Sequence, residues 1–208
     1  MTPDQRLRWI AKPAVWLLAL GPLAWLAWRV FNQDLTANPA EFMNRYLGEW
    51  ALRMLFVALA VTPLRRLTGQ VEVMRFRRLV GLFAFFYVAL HVSSYVVVDQ
   101  FFDWPAIWAD IVKRLYISLG MGALVILAAM TATSTAGMIK RLGRRKWSRL
   151  HKGVYGAAVL AVIHFFMMRK GFQIEPLVYA GILAMLLGAR LLPKRRSKRP
   201  ARNQASST

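Results

Sequence analysis

The sequence predicts an all-α integral membrane protein, a bundle of six transmembrane helices with both termini in the cytoplasm. The chain of 208 residues is 57% hydrophobic, with eight tryptophans and twelve phenylalanines, which exceeds the apolar share of an average soluble domain. Six apolar runs approach the length of about 20 residues that crosses the hydrocarbon core. Segments rich in basic residues alternate with acidic ones between these runs, as the positive-inside rule requires.

The predicted spans follow the apolar runs in chain order: Pro13–Val30, Trp50–Leu64, Leu79–Val98, Leu115–Ser134, Val154–Met168 and Leu177–Leu192. The first run follows three cations, as a signal peptide would, but no small-residue cleavage site ends it, so we expect it to be retained. The second and fifth runs are short, and we expect their helices to extend into the flanks. The six spans form one predicted domain, residues 1–192, and the composition of the basic tail, 193–208, predicts disorder.

The distribution of charge sets the predicted orientation. The chain carries 29 Lys and Arg against nine Asp and Glu, a formal net charge of +20. Cations cluster in the N-terminal segment, the second loop, the fourth loop and the tail, whereas most acids lie in the segments between them. Since loops rich in Lys and Arg stay in the cytoplasm, both termini are expected there.

Composition excludes several classes of protein. The chain has no cysteine, so disulfides, thiolate metal sites and cysteine-bound iron–sulfur clusters are ruled out. The cations lie between apolar runs and form no soluble basic face, which argues against a nucleic-acid partner. The sequence has neither a Gly-rich dinucleotide fingerprint nor a catalytic dyad or triad, so we expect no substrate-reducing site of its own.

Two of the three histidines, His91 and His164, lie inside predicted spans. An ionisable side chain at membrane depth is costly and indicates a functional site. The third and fifth spans run in one direction, and a rise of 1.5 Å per residue places the two histidines about 18 and 20 Å from the cytoplasmic ends. Two imidazoles at one depth are a familiar axial pair for haem iron. Alternatively, each bonds only to a neighbouring backbone or to a hydroxyl, such as those of Ser93, Ser94 and Ser118.

His151 lies at the predicted cytoplasmic edge, in the string Lys146-Trp-Ser-Arg-Leu-His151-Lys-Gly-Val-Tyr155. A histidine among cations at an interface is often simply solvated. Its functional interpretations are a ligand to an inner haem, or a contact to the head group of a flavin or quinone. Thirteen residues of ideal helix place His151 and His164 about 140° apart, so they do not trivially face one pocket.

Several motifs resemble those of a known family. The six-span plan with histidines on the third and fifth spans resembles the ferric reductase-like transmembrane superfamily. Within it, the local strings are similar to those of the MsrQ (YedZ) family: Thr62-Pro-Leu-Arg-Arg66, Arg77-Arg-Leu-Val-Gly81, Tyr87-Val-Ala-Leu-His91, and Trp147-Ser-Arg-Leu-His151-Lys-Gly-Val-Tyr155 leading into His164-Phe. These motifs extend from about residue 62 to residue 170, and they are specific only in combination.

The resemblance implies a ferric reductase-like bundle that serves as a haem b electron-transfer subunit of the bacterial inner membrane, with His91 and His164 as ligands of the outer haem. Electrons would come from the quinone pool or a cytoplasmic flavin donor. They would pass to a periplasmic molybdopterin-dependent enzyme that reduces methionine sulfoxide in proteins. FMN is a further cofactor that the resemblance implies. The periplasmic partner would dock on the short outer loops, through Trp104, Trp108, Asp99, Asp103 and Asp110.

One position departs from the superfamily pattern. The resemblance implies an inner histidine fourteen residues before His91, and Arg77 stands there, so a conventional bis-histidine inner haem cannot form. Either one haem is bound, or His151 has an unusual partner, or the inner half holds a flavin or quinone. In the last case Arg77, Arg78 and Lys152 would offer charge to a phosphate or semiquinone. The same cations also satisfy the positive-inside rule without any ligand.

Other functions stay open on the sequence alone. A ferric or other metal reductase of the same superfamily would use the same haem with a small-molecule acceptor. A small transporter usually shows internal repeats and broken helices at the midplane, and neither is evident. A cofactor-free scaffold subunit would have no visible absorption band. A proton relay would need a mid-span carboxylate to continue it, and we expect none.

Overall fold

The computed structural model describes residues 2, 5, 7–169 and 173–191, and all regular secondary structure within them is helical. In chain order the helices are α1 (Lys12–Phe31), α2 (Pro39–Thr68), α3 (Arg77–Ser94), α4 (Trp104–Lys113), α5 (Leu115–Ala132), α6 (Ala136–Leu150), α7 (Gly153–Met168) and α8 (Ile174–Leu191). A π-helical turn, Leu7–Ala11, precedes α1, and another, Tyr95–Asp99, continues α3; a 3₁₀ turn, Glu72–Phe76, leads into α3. The predicted tail, 193–208, lies outside the described residues.

The number of predicted membrane spans, six, is confirmed only in part. Among the described residues, five helices are long and apolar enough to cross a membrane. They are α1 with the turn before it, α2, α3 with the turns at both of its ends, α5 and α8. The predicted fifth span corresponds to α7, which has 16 residues and passes only together with α6, across a bend of 45°. The total is therefore five spans, or six if the bent pair counts as one.

Helix α2 extends beyond its predicted span on both sides, as expected because the apolar run of that span is too short to cross the membrane by itself. It begins at Pro39, where the Asn38 side chain accepts a hydrogen bond from the backbone N–H of Glu41, and both residue types are favoured at these positions. It ends at Gly69, whose φ of 74° suits a left-handed helix cap. Two further helices, α4 and α6, lie in segments that the sequence pattern treats as loops.

Helix α2 is the centre of the bundle. In its apolar window 56% of the residues are buried, against 17% for α1 and 11% for α5. It packs most extensively on α3 and also contacts α7 and α8, while α5 packs mainly on α7. The tightest core positions are Leu59 of α2, Ala84 and Tyr87 of α3 and the Ala157–Ala158 pair of α7, each at most 1% exposed. The exposed apolar faces of α1 and α5 are those expected of lipid-facing helices.

A proline inside α2 explains one contact between distant helices. Pro63 has no N–H, so the carbonyl of Leu59, four residues earlier, loses its normal intrahelical partner. The guanidinium of Arg190 in α8 donates to this carbonyl at 2.6 Å. An unpaired carbonyl inside a membrane costs several kcal/mol, so this contact fixes the end of α8 against the middle of α2.

This account predicts an energetic coupling between Pro63 and Arg190. Arg190→Met should destabilise the protein by about 1–3 kcal/mol because it leaves the Leu59 carbonyl unpaired. In the Pro63→Ala background a backbone N–H takes over that carbonyl, so the same substitution should cost less by about 1 kcal/mol. Unfolding with sodium dodecyl sulfate in mixed micelles measures all four variants. An equal cost of Arg190→Met in both backgrounds would refute the role given to Pro63.

Candidate functional site

The two histidines inside the bundle face each other. His91 lies in the last turn of α3, and His164 lies four residues before the end of α7. Their ring centroids are 6.3 Å apart and their planes are inclined at 71°. Because α3 packs on α2 and α7 packs on α5, each histidine belongs to a different helix pair, and the two rings meet between these pairs.

Each imidazole is anchored by a backbone carbonyl of the adjacent helix. Nδ1 of His91 lies 2.9 Å from the carbonyl oxygen of Asn44 in α2, and Nδ1 of His164 lies 2.6 Å from that of Tyr116 in α5. A carbonyl oxygen only accepts, so Nδ1 carries the proton and Nε2 the lone pair in both rings. Within the described part of the chain, neither Nε2 makes a hydrogen bond. A metal-binding histidine that coordinates through Nε2 has this arrangement.

Two glycines provide the space that the imidazoles occupy, because they have no side chain. A Cβ built on Gly48 would lie 3.1 Å from Cε1 and from Nδ1 of His91. A Cβ built on Gly120 would lie 3.0 Å from Nδ1 of His164. Both distances are shorter than the optimal contact of about 3.5–4.0 Å. Any larger residue at either position would therefore push against the ring.

The two anchors have the same construction. Gly48 follows Asn44 by four residues in α2, and Gly120 follows Tyr116 by four residues in α5. On a helix the carbonyl of residue i points toward the N–H of residue i+4, on the same face. Without a Cβ at i+4 that carbonyl is accessible to a second donor from outside the helix. We call these two positions the carbonyl–glycine anchors.

A cavity of about 900 Å³ lies between the two helix pairs, and both histidines and both anchor glycines line it. Its volume is in the range of sites that hold a cofactor or other small ligand. A large part of its wall is apolar: Leu52, Leu55, Ala123, Leu124, Leu127 and Phe165. Such a wall excludes water and lowers the local dielectric constant around the histidines.

Two imidazoles are too few to hold a bare metal ion, but they suit a metal ion that an organic ligand already binds. Among the described residues no group of three or more His, Asp or Glu gathers as a bare ion site would require. Two imidazoles that bind one metal from opposite sides, each at about 2 Å, place their centroids about 6 Å apart, close to the 6.3 Å here. A metal ion in a planar organic ring, as in haem, fits both the spacing and the cavity.

Part of the cavity wall is charged. Arg45 pairs with Glu41 at 2.7 Å, and Arg114 pairs with Asp110 at 3.0 Å. Both arginines line the cavity, one from α2 and one from the residue that joins α4 to α5. Arg114 also donates to the hydroxyl of Tyr116 at 3.3 Å, so it contacts the residue whose carbonyl anchors His164.

Glu49 also lines the cavity, and it stands one residue before the predicted start of the second span. It belongs to α2, and its side chain is only 17% exposed. Its carboxylate binds Arg53 at 3.0 Å and Arg169 at 2.8 Å, and Arg169 also binds Glu175 at 2.8 Å. Two cations thus balance two buried or half-buried anions, as burial requires, and the cluster connects α2 to the facing ends of α7 and α8.

The residues of the expected docking face divide into two groups. Trp104 and Trp108 on α4 are 62% and 68% exposed, and Asp99 is exposed as well; all three line the cavity. Asp103 instead caps the first turn of α4 through its side chain. Asp110 is largely buried, and it accepts a hydrogen bond from a tyrosine hydroxyl at 2.8 Å besides its pair with Arg114. Asp103 is exposed as well, so Asp110 is the one largely buried residue of these five.

His151 lies apart from this cavity, at the end of α6. Its ring stacks on Trp147 with centroids 4.0 Å apart, and its Nδ1 lies 3.2 Å from the Trp147 carbonyl oxygen. Nε2 lies 3.4 Å from Oγ of Ser134 at the end of α5. As the helical arithmetic suggested, His151 and His164 do not share a pocket.

The cations expected near His151 are only partly gathered there. Arg77 is half-buried and close enough to act electrostatically on His151 and on Arg190. Arg78 and Lys152 are exposed, and in the described part of the chain no side-chain bond joins either of them to His151. Of the three expected cations, Arg77 is therefore the one whose charge influences this histidine.

The sequence pattern missed the anchors and the cavity arginines. Asn44, Gly48 and Arg45 lie before the predicted start of the second span, in a stretch that reads as a polar loop. Gly120 lies in a span, but a glycine in an apolar helix carries no specific signal. A glycine four residues after an accepting carbonyl can be recognised in the sequence only once the histidine contacts are known.

Comparison with known proteins places the chain in a family. The family model described as "Ferric reductase like transmembrane component" matches residues 47–162. This range includes both anchor glycines and His91, and it ends two residues before His164. Three relatives are each named protein-methionine-sulfoxide reductase heme-binding subunit MsrQ. The relative from Rhodospirillum rubrum is 52% identical over 93% of this chain and 93% of its own length.

The relatives from Caulobacter vibrioides and Polaromonas naphthalenivorans are each 46% identical to this chain. They cover 88% and 89% of it, and 87% and 88% of their own lengths. Identity at this level over nearly the whole chain exceeds what a shared fold alone would require, and it agrees with a multi-pass helical membrane protein. The chain belongs to the MsrQ family of ferric reductase-like transmembrane proteins.

Proposed function

We propose that this chain is a haem b subunit that carries electrons across the bacterial inner membrane to a periplasmic molybdopterin-dependent reductase of protein methionine sulfoxide. The observation that carries the proposal is the facing pair His91 and His164, each with Nδ1 on a backbone carbonyl beside one cavity. Relatives that match about nine-tenths of the chain are named as heme-binding subunits of protein-methionine-sulfoxide reductase, which supports haem as the cofactor.

The chain's own residues would hold and tune the cofactor. Nε2 of His91 and Nε2 of His164 would be the two axial ligands. The carbonyls of Asn44 and Tyr116 fix the tautomer and the orientation of each ring and raise the basicity of Nε2. The apolar wall keeps water out, and axial ligands, hydrogen bonds and burial together set the potential. Haem bound here would supply reversible one-electron chemistry.

The orientation and the ends of the electron path follow from charge. Under the positive-inside rule both termini would be cytoplasmic, which places the histidine pair in the outer half of the membrane. Electrons would enter from membrane quinol or from a cytoplasmic flavin reductase and leave at the side of α4. There Trp104, Trp108 and Asp99 would form the docking face, because they are exposed and also line the cavity.

The inner half would hold the entry site. His151, stacked on Trp147 and close to Arg77, would contact an FMN or quinone head group or ligate a second haem with an unusual partner. Arg78 and Lys152, exposed at the same end, would add charge for a phosphate. Arginine suits a phosphate group geometrically.

Substitution of either facing histidine tests the ligand assignment. His91→Ala and His164→Ala should each abolish the Soret band of the purified protein, because each removes one axial ligand. The absorption spectrum per chain and the amount of protein in the membrane fraction are the measurements. His151→Ala serves as a matched control and should retain at least part of the haem while electron entry is impaired.

Two results would contradict this assignment. If both His91→Ala and His164→Ala retain haem, these two histidines are not its ligands. Complete loss of haem in His151→Ala would overturn the view that this histidine serves only the inner site. A purified wild-type protein without any visible band, even after haem supplementation, would favour a transporter or a cofactor-free scaffold.

The carbonyl–glycine anchors give a second test. Gly48→Ala and Gly120→Ala should lower haem affinity by about tenfold, because overpacking costs roughly 1–3 kcal/mol and the ring must give way. Gly81→Ala and Gly181→Ala are matched controls, since a Cβ at either position meets nothing within 4 Å. Haem titration of the purified apo-proteins measures the difference. If the controls lose as much affinity as the anchor variants, the anchors have no special role.

A further inference from the structure

The cavity beside the histidines has an apolar part and a charged part. Leucines and Phe165 line one part, as described above, whereas Arg45 and Arg114 line another, together with the exposed tryptophans of α4. A ligand that fits such a cavity has an apolar body and an anionic edge, because a buried or half-buried charge needs a partner. The arginines mark where that edge would lie.

Each of the two arginines is associated with a different histidine anchor. Arg45 is the neighbour of Asn44, whose carbonyl anchors His91. Arg114 donates to the hydroxyl of Tyr116, whose carbonyl anchors His164. One arginine therefore stands beside each carbonyl–glycine anchor, and each comes from a different helix pair. A ligand held between the histidines would meet one arginine on either side.

Both arginines keep donors for another carboxylate. Arg45 contacts Glu41 through Nη2, and Arg114 contacts Asp110 through Nε and Tyr116 through Nη1. A guanidinium has five N–H donors and can bind a carboxylate through two of them. In this chain Arg169 already serves two carboxylates at once, those of Glu49 and Glu175. The existing ion pairs therefore do not exclude a second anion.

The acidic residues of the cavity wall leave these two arginines able to bind a further anion. Glu49 is held by two other cations, Arg53 and Arg169. Glu41 is half exposed, and the side chains of Arg45 and Arg114 are 42% and 54% exposed. The Arg45–Glu41 pair is exposed on both sides and worth little, so an anion that is fixed inside the cavity can compete with it. Asp110 is only 17% exposed, and Arg114 would keep that pair through Nε while its other donors bind the anion.

We infer that Arg45 and Arg114 each bind one of the two carboxylates of the haem, so that its carboxylate edge faces α4 and its apolar edge faces the leucines. This inference rests on the proposed function and adds to it the orientation of the cofactor. The carboxylate edge would then lie in the part of the cavity that Trp104 and Trp108 also line, on the side that a periplasmic partner would approach.

A comparison of two porphyrins tests this inference. Apo-protein purified in detergent is titrated with haem b and with haem b dimethyl ester, in which both carboxylates are blocked. The wild type should prefer haem b by roughly tenfold or more, since charge-assisted hydrogen bonds are the stronger class. Arg45→Gln and Arg114→Gln should each reduce this preference by about threefold, with exposure limiting the effect, and the double variant should show almost none.

The ratio of the two dissociation constants separates this role from a general effect on folding, because both porphyrins enter the same protein. Arg29→Gln is the control, because Arg29 of α1 is also ion-paired, with Asp34, but does not line the cavity. This variant should keep the wild-type ratio. A wild-type ratio near one, or an unchanged ratio in the double variant, would overturn the inference. If the wild type binds neither porphyrin, the proposed function itself fails.

Discussion

The hydrogen bond from a histidine Nδ1 to the carbonyl of a neighbouring helix is the contact on which the site depends. Inside a membrane nearly all backbone groups are already paired within their own helix, so a side chain finds an acceptor only where a carbonyl can take a second donor. Asn44 and Tyr116 offer such carbonyls because glycine stands four residues later. The bond fixes which ring nitrogen keeps its lone pair, and the two helix pairs then determine how far apart the rings lie.

Side-chain bonds to backbone carbonyls position other parts of the bundle in a related way. Arg190 reaches the Leu59 carbonyl that Pro63 leaves without a partner. On α1, the hydroxyl of Tyr87 donates to the Ala19 carbonyl at 2.7 Å, and that of Tyr46 donates to the Pro22 carbonyl at 3.0 Å. These contacts pin α1 and α8 to the central helices, and the central helices carry the site.

The sequence predicts the features that depend on local pattern. Apolar length gives the approximate positions of the spans, and the rise per residue brings His91 and His164 to one depth. It fails where tertiary partners override polarity: Glu41, Arg45 and Glu49 look like loop residues, yet ion pairs allow them to lie in α2. It fails also for α6, which has no apolar run, and for Gly48 and Gly120, whose importance is a close approach between distant segments.

The account makes the pair His91 and His164 the centre of a membrane electron carrier, with their ring planes inclined at 71°. The most direct test is the low-temperature electron paramagnetic resonance spectrum of the oxidised, haem-loaded protein. Two imidazole ligands with steeply inclined planes predict a strongly anisotropic low-spin ferric signal. A high-spin ferric signal from fully loaded protein would mean that at least one of the two imidazoles does not bind the iron, and it would contradict the central claim.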